Sequence, residues 1–158
     1  MRATPLLDGA IAGAVGTAAL NMVSYLDIVV RARPASIAPE ESARRLAEKA
    51  HVDLGPGDKA VNRRSGLGAL LGYGTGVAAG AAFGLLAARR RLPLPVAAGV
   101  LGGGVMATSD GSLAALGVSD PRTWRLNDWV ADIVPHLAYG MAAATTWNRL
   151  RPPSRRGG

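Results

Sequence analysis

A chain of 158 residues has the length of one ordinary domain, yet it combines 49% apolar content and a single Phe with 21 glycines. That mixture fits a water-soluble core poorly and suits helices packed closely in lipid. The formal net charge of +7 is concentrated at the ends of apolar runs, which points to membrane topology and phospholipid contact rather than to a nucleic-acid surface, and the absence of cysteine excludes disulfides and thiolate chemistry.

The first apolar run, 6–30, is entered through Thr4 and Pro5 and closed by Arg31, Arg33 and Pro34. It exceeds the ~20 residues that a membrane helix needs. A cleaved signal peptide starting at Arg2 is the competing reading, but the run is long, carries Asp8, Asn21 and Asp27, and lacks a small-residue cleavage site. A polar loop, 31–65, follows. Within it Pro39, Glu40 and Glu41 start a short helix, with Ala43, Leu46, Ala47 and Ala50 on one face and Arg44, Arg45, Glu48 and Lys49 on the other. This amphipathic helix lies either along the membrane surface or in solvent, and the segment 55–58 ends it.

The second span, 66–88, carries Gly68, Gly72, Gly76, Gly80 and Gly84 at every fourth residue. Spacing of four holds them on one helix face, where a neighbouring backbone can come into contact. The partner is a helix of the same chain or of a second copy, and the internal partner is favoured because the chain must pack its own helices. Arg89, Arg90 and Arg91 close this span. The third, 94–117, is launched by Pro93 and Pro95 and ended by Gly117, with Gly99 and Gly103 repeating the close-packing interval. The fourth, 129–148, is capped by Asn127 or Asp128. Trp129 and Trp147 stand about 27 Å apart along it, which matches one aromatic anchor at each interface. A basic disordered tail, 151–158, contains Arg151, Arg155 and Arg156. Four spans put both termini on one side, and the short Arg-rich segments there favour the cytoplasm.

Ionisable groups inside such spans need a reason, since each costs about 2.5–3.5 kcal/mol near a helix centre. Asp132, His136 and Tyr139 share a face of the fourth span, beside a kink expected at Pro135. The segment 108–112 places Asp110 among small polar residues in the third. In the first, Asn21, Ser24 and Tyr25 form a polar strip, and Asp27 reaches Arg31 one turn on. Two readings follow. Either Asp132, Asp110 and His136 line a hydrated pocket that binds a cation or relays protons, or the same groups are ties, Asp132 to His136 and Asn21 across helices, with Asp110 capping a broken helix. The second carries more weight. Two histidines, one of them His51 in the loop, make a thin metal set. Ser109 or Ser112 as a nucleophile cannot be argued from spacing, and no phosphate loop is present.

The stretch 132–139, with its acid, Ile, His-Leu and aromatic, resembles the last-helix pattern of the YagU-like bacterial inner-membrane proteins. The segments 11–15 and 115–118 are similar to that family in order and position. The resemblance implies a bacterial inner-membrane protein of a family with no assigned activity.

The expected fold is an all-α integral membrane bundle of four transmembrane helices, spans 6–30, 66–88, 94–117 and 129–148 in one domain over 1–150, plus one short amphipathic loop helix. The expected function is a structural or interaction component of the bacterial cytoplasmic membrane with no catalytic activity and no cofactor or metal. Its partners are the lipid bilayer and a second copy or another membrane protein, not nucleic acid. The alternative is a proton- or cation-linked permeation or sensing module built on the Asp/His/Tyr strip.

Overall fold

The computed structural model describes residues 4–90 and 92–151, so the expectations for Arg2, Arg91, Arg155, Arg156 and the tail lie outside the described residues. Within them the chain is all-helical with no strand: α1 (Pro5–Arg31), α2 (Ala38–Lys49), α3 (Gly57–Leu86), α4 (Leu94–Ala115) and α5 (Leu126–Leu150), with a 3-10 turn at Pro121–Thr123 before α5.

Local chemistry sets the ends. The Thr4 hydroxyl oxygen accepts the Leu7 N–H at 3.4 Å, with Pro5 in the first turn, where its missing N–H costs nothing. α4 stops in a Schellman turn: Gly117 adopts φ +68°, its N–H bonds the Ala114 carbonyl at 3.0 Å, and the Val118 N–H bonds that of Leu113 at 2.8 Å. α2 stops in the same way with His51 in the left-handed position at φ +55°, where the Val52 N–H donates to the Ala47 carbonyl at 2.8 Å. The histidine of the polar loop is therefore a helix terminator. On the outer face of α2, Arg44 and Arg45 bond Glu41, and the Arg44 guanidinium, with Arg45, holds that carboxyl down to about 2.

Several expected boundaries move. α3 begins at Gly57 rather than at residue 66, because residues 58–65 contain neither Gly nor Pro and Asp58 complements the positive end of the helix. The polar segment 57–65 is thus helix, not loop. α5 begins at Leu126, and its cap is Arg125 rather than Asn127 or Asp128. Asp128 acts from the third position, accepting the Arg125 N–H at 2.9 Å. α4 runs unbroken through the polar segment 108–112, so Asp110 caps nothing. The hydroxyls of Thr108 and Ser112 donate to carbonyls one turn back, Gly104 and Thr108, at 2.8 and 2.7 Å. Trp147 is not an outward anchor but 2% exposed, edge-on to Phe83 at 5.9 Å between ring centroids. Trp129 packs instead against Trp124 at 5.1 Å.

α1 packs along both α3 and α5, α4 packs along α5 and touches α3 lightly, and α2 lies on α3. Backbone contact through glycine makes the α1–α3 and α4–α5 pairings close. A Cβ added to Gly80 would lie 2.6 Å from the Gly13 Cα, one on Gly84 3.0 Å from the Gly9 Cα, and one on Gly13 3.0 Å from the Val77 Cα. These pairs run in opposite order along the two helices, so α1 and α3 are antiparallel. Gly102 and Gly140 do the same for α4 and α5: a Cβ on Gly102 would lie 2.6 Å from the His136 carbonyl oxygen, and one on Gly140 2.9 Å from the Gly102 nitrogen.

The five-glycine stripe is therefore divided. Gly76, Gly80 and Gly84 meet α1, Gly68 meets the backbone at Pro39 and Glu40 as α2 begins, and Gly72 meets nothing within 4 Å. Gly99 and Gly103 face outward with nothing near, and the α4 contact is made by Gly102 instead.

Alanine dominates the interior, with Ala12, Ala97, Ala143 and Ala144 at 1% exposure or less, while large apolar side chains point out: Met22 65%, Val29 76%, Leu70 68%, Leu86 82%, Val100 54% and Leu137 56%. α1 and α3 are each long and apolar enough to cross a membrane. α4 and α5 have 22 and 25 residues, but Asp110 with its polar neighbours, and Asp128, Asp132 and His136, lower their hydropathy.

Candidate functional site

α4 and α5 bring together the three titratable residues predicted for a polar site. In α5 the four-residue spacing puts Asp132 and His136 one above the other. The imidazole Nδ1 lies 2.8 Å from the Asp132 carbonyl oxygen and 3.3 Å from its carboxylate Oδ1. Both neighbours only accept, so Nδ1 carries the proton of the neutral ring, and Nε2 is the atom left to take up another. The second carboxylate oxygen of Asp132, Oδ2, is buried without a hydrogen-bond partner. Asp110, 9% exposed, faces this pair from α4 within electrostatic reach of both, and its carboxylate accepts no hydrogen bond among the described residues. An unpaired buried oxygen costs free energy that a purely structural tie would avoid.

Tyr139 belongs to the same helix face but does different work. It is fully buried, and its hydroxyl donates to the Gly76 carbonyl of α3 at 2.6 Å. The ring lies against glycine on two sides: a Cβ on Gly16 would come 2.7 Å from the Tyr139 Cδ2, and one on Gly76 3.2 Å from its Cε2. Beside it the Thr17 hydroxyl donates to the Gly13 carbonyl at 2.9 Å. Tyr139 is thus a wedge between α1 and α3, and its hydroxyl points away from His136.

The α1 strip does not join the cluster. Tyr25 is 64% exposed, and Asn21 is half-buried with no hydrogen bond among the described residues. Asp27 binds Arg31 at 2.6 Å as expected and also Arg33, tying the end of α1 to the loop. α5 runs unbroken through Pro135.

Sequence reasoning missed the partners of the glycine stripe: Gly9, Gly13 and Gly16 on α1, and the Gly102–Gly140 pair. The spacing of Gly9 and Gly13 was a usable signal, overshadowed by the longer repeat in α3. Arg151 was also missed as a structural residue. It donates to the carbonyls of Arg90 and Ala88 at 2.7 and 2.5 Å and stacks over Trp147 at 5.1 Å, closing the far end of the bundle.

Chemically, two carboxylates and an imidazole can bind, hold and release protons. Among the described residues no group of His, Asp or Glu is arranged to hold a metal ion. The Ser112 hydroxyl donates to the Thr108 carbonyl rather than to His136. Compared with known protein families, curated proteins and solved structures, the chain shows no match.

Proposed function

We propose that all four long helices cross the bilayer and that the chain is a small multi-pass protein of the bacterial cytoplasmic membrane, structural or interacting in role and without catalytic activity. One observation carries this reading: the bundle is inside-out for water, with alanine and glycine at its centre and large aliphatics on the outer faces of α1, α3, α4 and α5. In lipid the outward side chains cost nothing, and small inward residues allow the close contact that replaces a hydrophobic drive. Among the described residues no serine or other nucleophile is hydrogen-bonded to His136, which argues against hydrolysis. The similarity of 132–139 to the YagU-like family is part of the same proposal, as are the cytoplasmic termini.

Single cysteines test the topology without interference, since the chain has none of its own. Ser36→Cys and Ser119→Cys are expected to react with an impermeant maleimide from the same face of the membrane, and Ala88→Cys from the opposite face. Labelling of Ser119→Cys and Ala88→Cys from one face would mean that only α1 and α3 cross, and would end the four-span reading.

A second reading is favoured by the unpartnered Asp132 Oδ2 beside His136, namely a proton-linked sensing or permeation module. His136 in bilayers is expected to titrate between about pH 5 and 8 by NMR, and the midpoint to fall on Asp132→Asn, because the carboxylate that favours imidazolium is gone. A ring that never titrates in that window removes this reading and leaves the structural one.

A further inference from the structure

The cluster lies in the half of the bundle nearer the α4–α5 connection. His136 is the eleventh residue of α5, about 15 Å from its start at the helical rise, and the α1 terminus at Arg31 is within electrostatic reach of Asp128. Asp110 and Ala114 are one turn apart on α4. Ala114 in turn lines a cleft of about 300 Å³ with Gly117, Val118, Ser119, Asp120 and Arg122 at the α4–α5 connection. At the mouth Arg122 hydrogen-bonds Asp120 and holds its carboxyl below the usual range. A route from solvent at this connection would therefore run past Ala114 to Asp110, one turn away on α4, and on to Asp132 and His136.

On the other side of His136 the route stops. Tyr139 fills the space next along α5, with its hydroxyl engaged by Gly76 of α3. Beyond it the interior is Ala12, Phe83, Ala87, Ala97, Ala143 and Trp147. Among the described residues the other buried carboxylate, Asp8, sits near the start of α1, and the Gly9–Gly84 and Gly13–Gly80 backbone contacts lie between it and Thr17. The charged groups acting on His136 are Asp132 of its own helix and Asp110 of α4. α1 presents Gly16 and Leu20 to the core here, its Asp27 being spent on Arg31 and Arg33, and α3 contributes the Gly76 carbonyl.

We infer that protons reach the Asp110–Asp132–His136 cluster from one face of the membrane only, that of the α4–α5 connection, so that the site senses pH on that face and does not conduct. The inference rests on the proton-linked reading and chooses sensing over permeation within it. The step is a single protonation: a proton from water at the cleft adds to His136 Nε2, and the imidazolium formed is balanced by the Asp132 carboxylate.

Reconstituted vesicles test it with two readouts. His136→Cys, and Asp110→Cys as a second position should the first not fold, are expected to react with an impermeant methanethiosulfonate from the face that labels Ser119→Cys, at least tenfold faster than from the other. The parent chain is expected to pass protons down an imposed gradient no faster than empty vesicles. Labelling from the opposite face or from neither, or a proton flux that His136→Ala abolishes, would overturn one-sided access. Failure of His136 to titrate at all would instead remove the underlying proton-linked reading, and the two results are separable because labelling does not depend on titration.

Discussion

Gly80→Leu is expected to destroy the α1–α3 contact, while Gly72→Leu, two turns away in the same repeat, is expected to leave it intact. The Cβ alone at Gly80 would stand 2.6 Å from the Gly13 Cα and 2.7 Å from its nitrogen, both backbone atoms that no rotamer change can move. The helices would have to separate by more than an ångström along a seam whose stability comes from short-range dispersion, which falls steeply with distance. Overpacking of this kind costs about 1–3 kcal/mol in soluble cores, and the leucine branches place Gly80→Leu at or above the upper end. Gly72 is exposed with nothing within 4 Å, so its replacement by leucine is expected to cost no packing and to gain up to about 1 kcal/mol of helix propensity. Alanine sharpens the contrast, since Gly→Ala gains about 1 kcal/mol of helix propensity. Gly72→Ala is expected to raise the melting temperature in detergent and Gly80→Ala to lower it. Equal effects at both positions would refute the division of the stripe.

Tyr139→Ala is expected to cost about 3–5 kcal/mol, the range for removing a buried aromatic ring. The side chain is fully buried, and its neighbours Gly16 and Gly76 have no side chains with which to collapse into the gap, so little of the cavity can be recovered. Tyr139→Phe separates the wedge from the hydrogen bond. It keeps the ring and loses the 2.6 Å bond to Gly76, for about 0.5–1.5 kcal/mol. Because that hydroxyl points away from the imidazole, Tyr139→Phe is expected to leave the His136 titration midpoint unchanged. Tyr25→Phe, altering a ring that is 64% exposed, serves as the neutral comparison. Thermal unfolding in detergent measures the first effects, and a midpoint that moved with Tyr139→Phe would place the hydroxyl in the proton site after all.

The all-helical class and the approximate position of every long helix were legible because apolar runs, prolines and glycine terminators are local signals. So was the Asp132–His136 pair, since four residues in a helix is a contact wherever the helix goes. What the sequence could not carry was direction across the bundle. Tyr139 shares a face with His136, yet which helix receives its hydroxyl depends on how α3 docks on α1. The glycine repeat announced close packing but not that Gly72 would be left over, because α2 engages one end of the stripe and α1 the other. Asp110 was visible as a charge in an apolar run. Its meeting with α5 followed only from Gly102 and Gly140, which pin the register of α4 on α5. α3 starts at Gly57, nine residues before the apolar run that predicts it, because a helix can continue past its apolar part when nothing breaks it.

The alanine and glycine at the centre of the bundle have a thermodynamic consequence. A buried leucine or methionine surrenders rotamers when helices associate, whereas alanine and glycine have none to surrender. Ala12, Ala97, Ala143 and Ala144, together with the glycines that touch across α1, α3, α4 and α5, enter the packed state with no loss of side-chain freedom. Among the described residues the large apolar side chains that are buried are few, Phe83, Leu101, Val105, Tyr139 and Trp147, and most long aliphatics remain outside. Helix association here is opposed less by side-chain ordering than it would be in a core filled with leucine and methionine, so smaller contact energies suffice to hold the bundle.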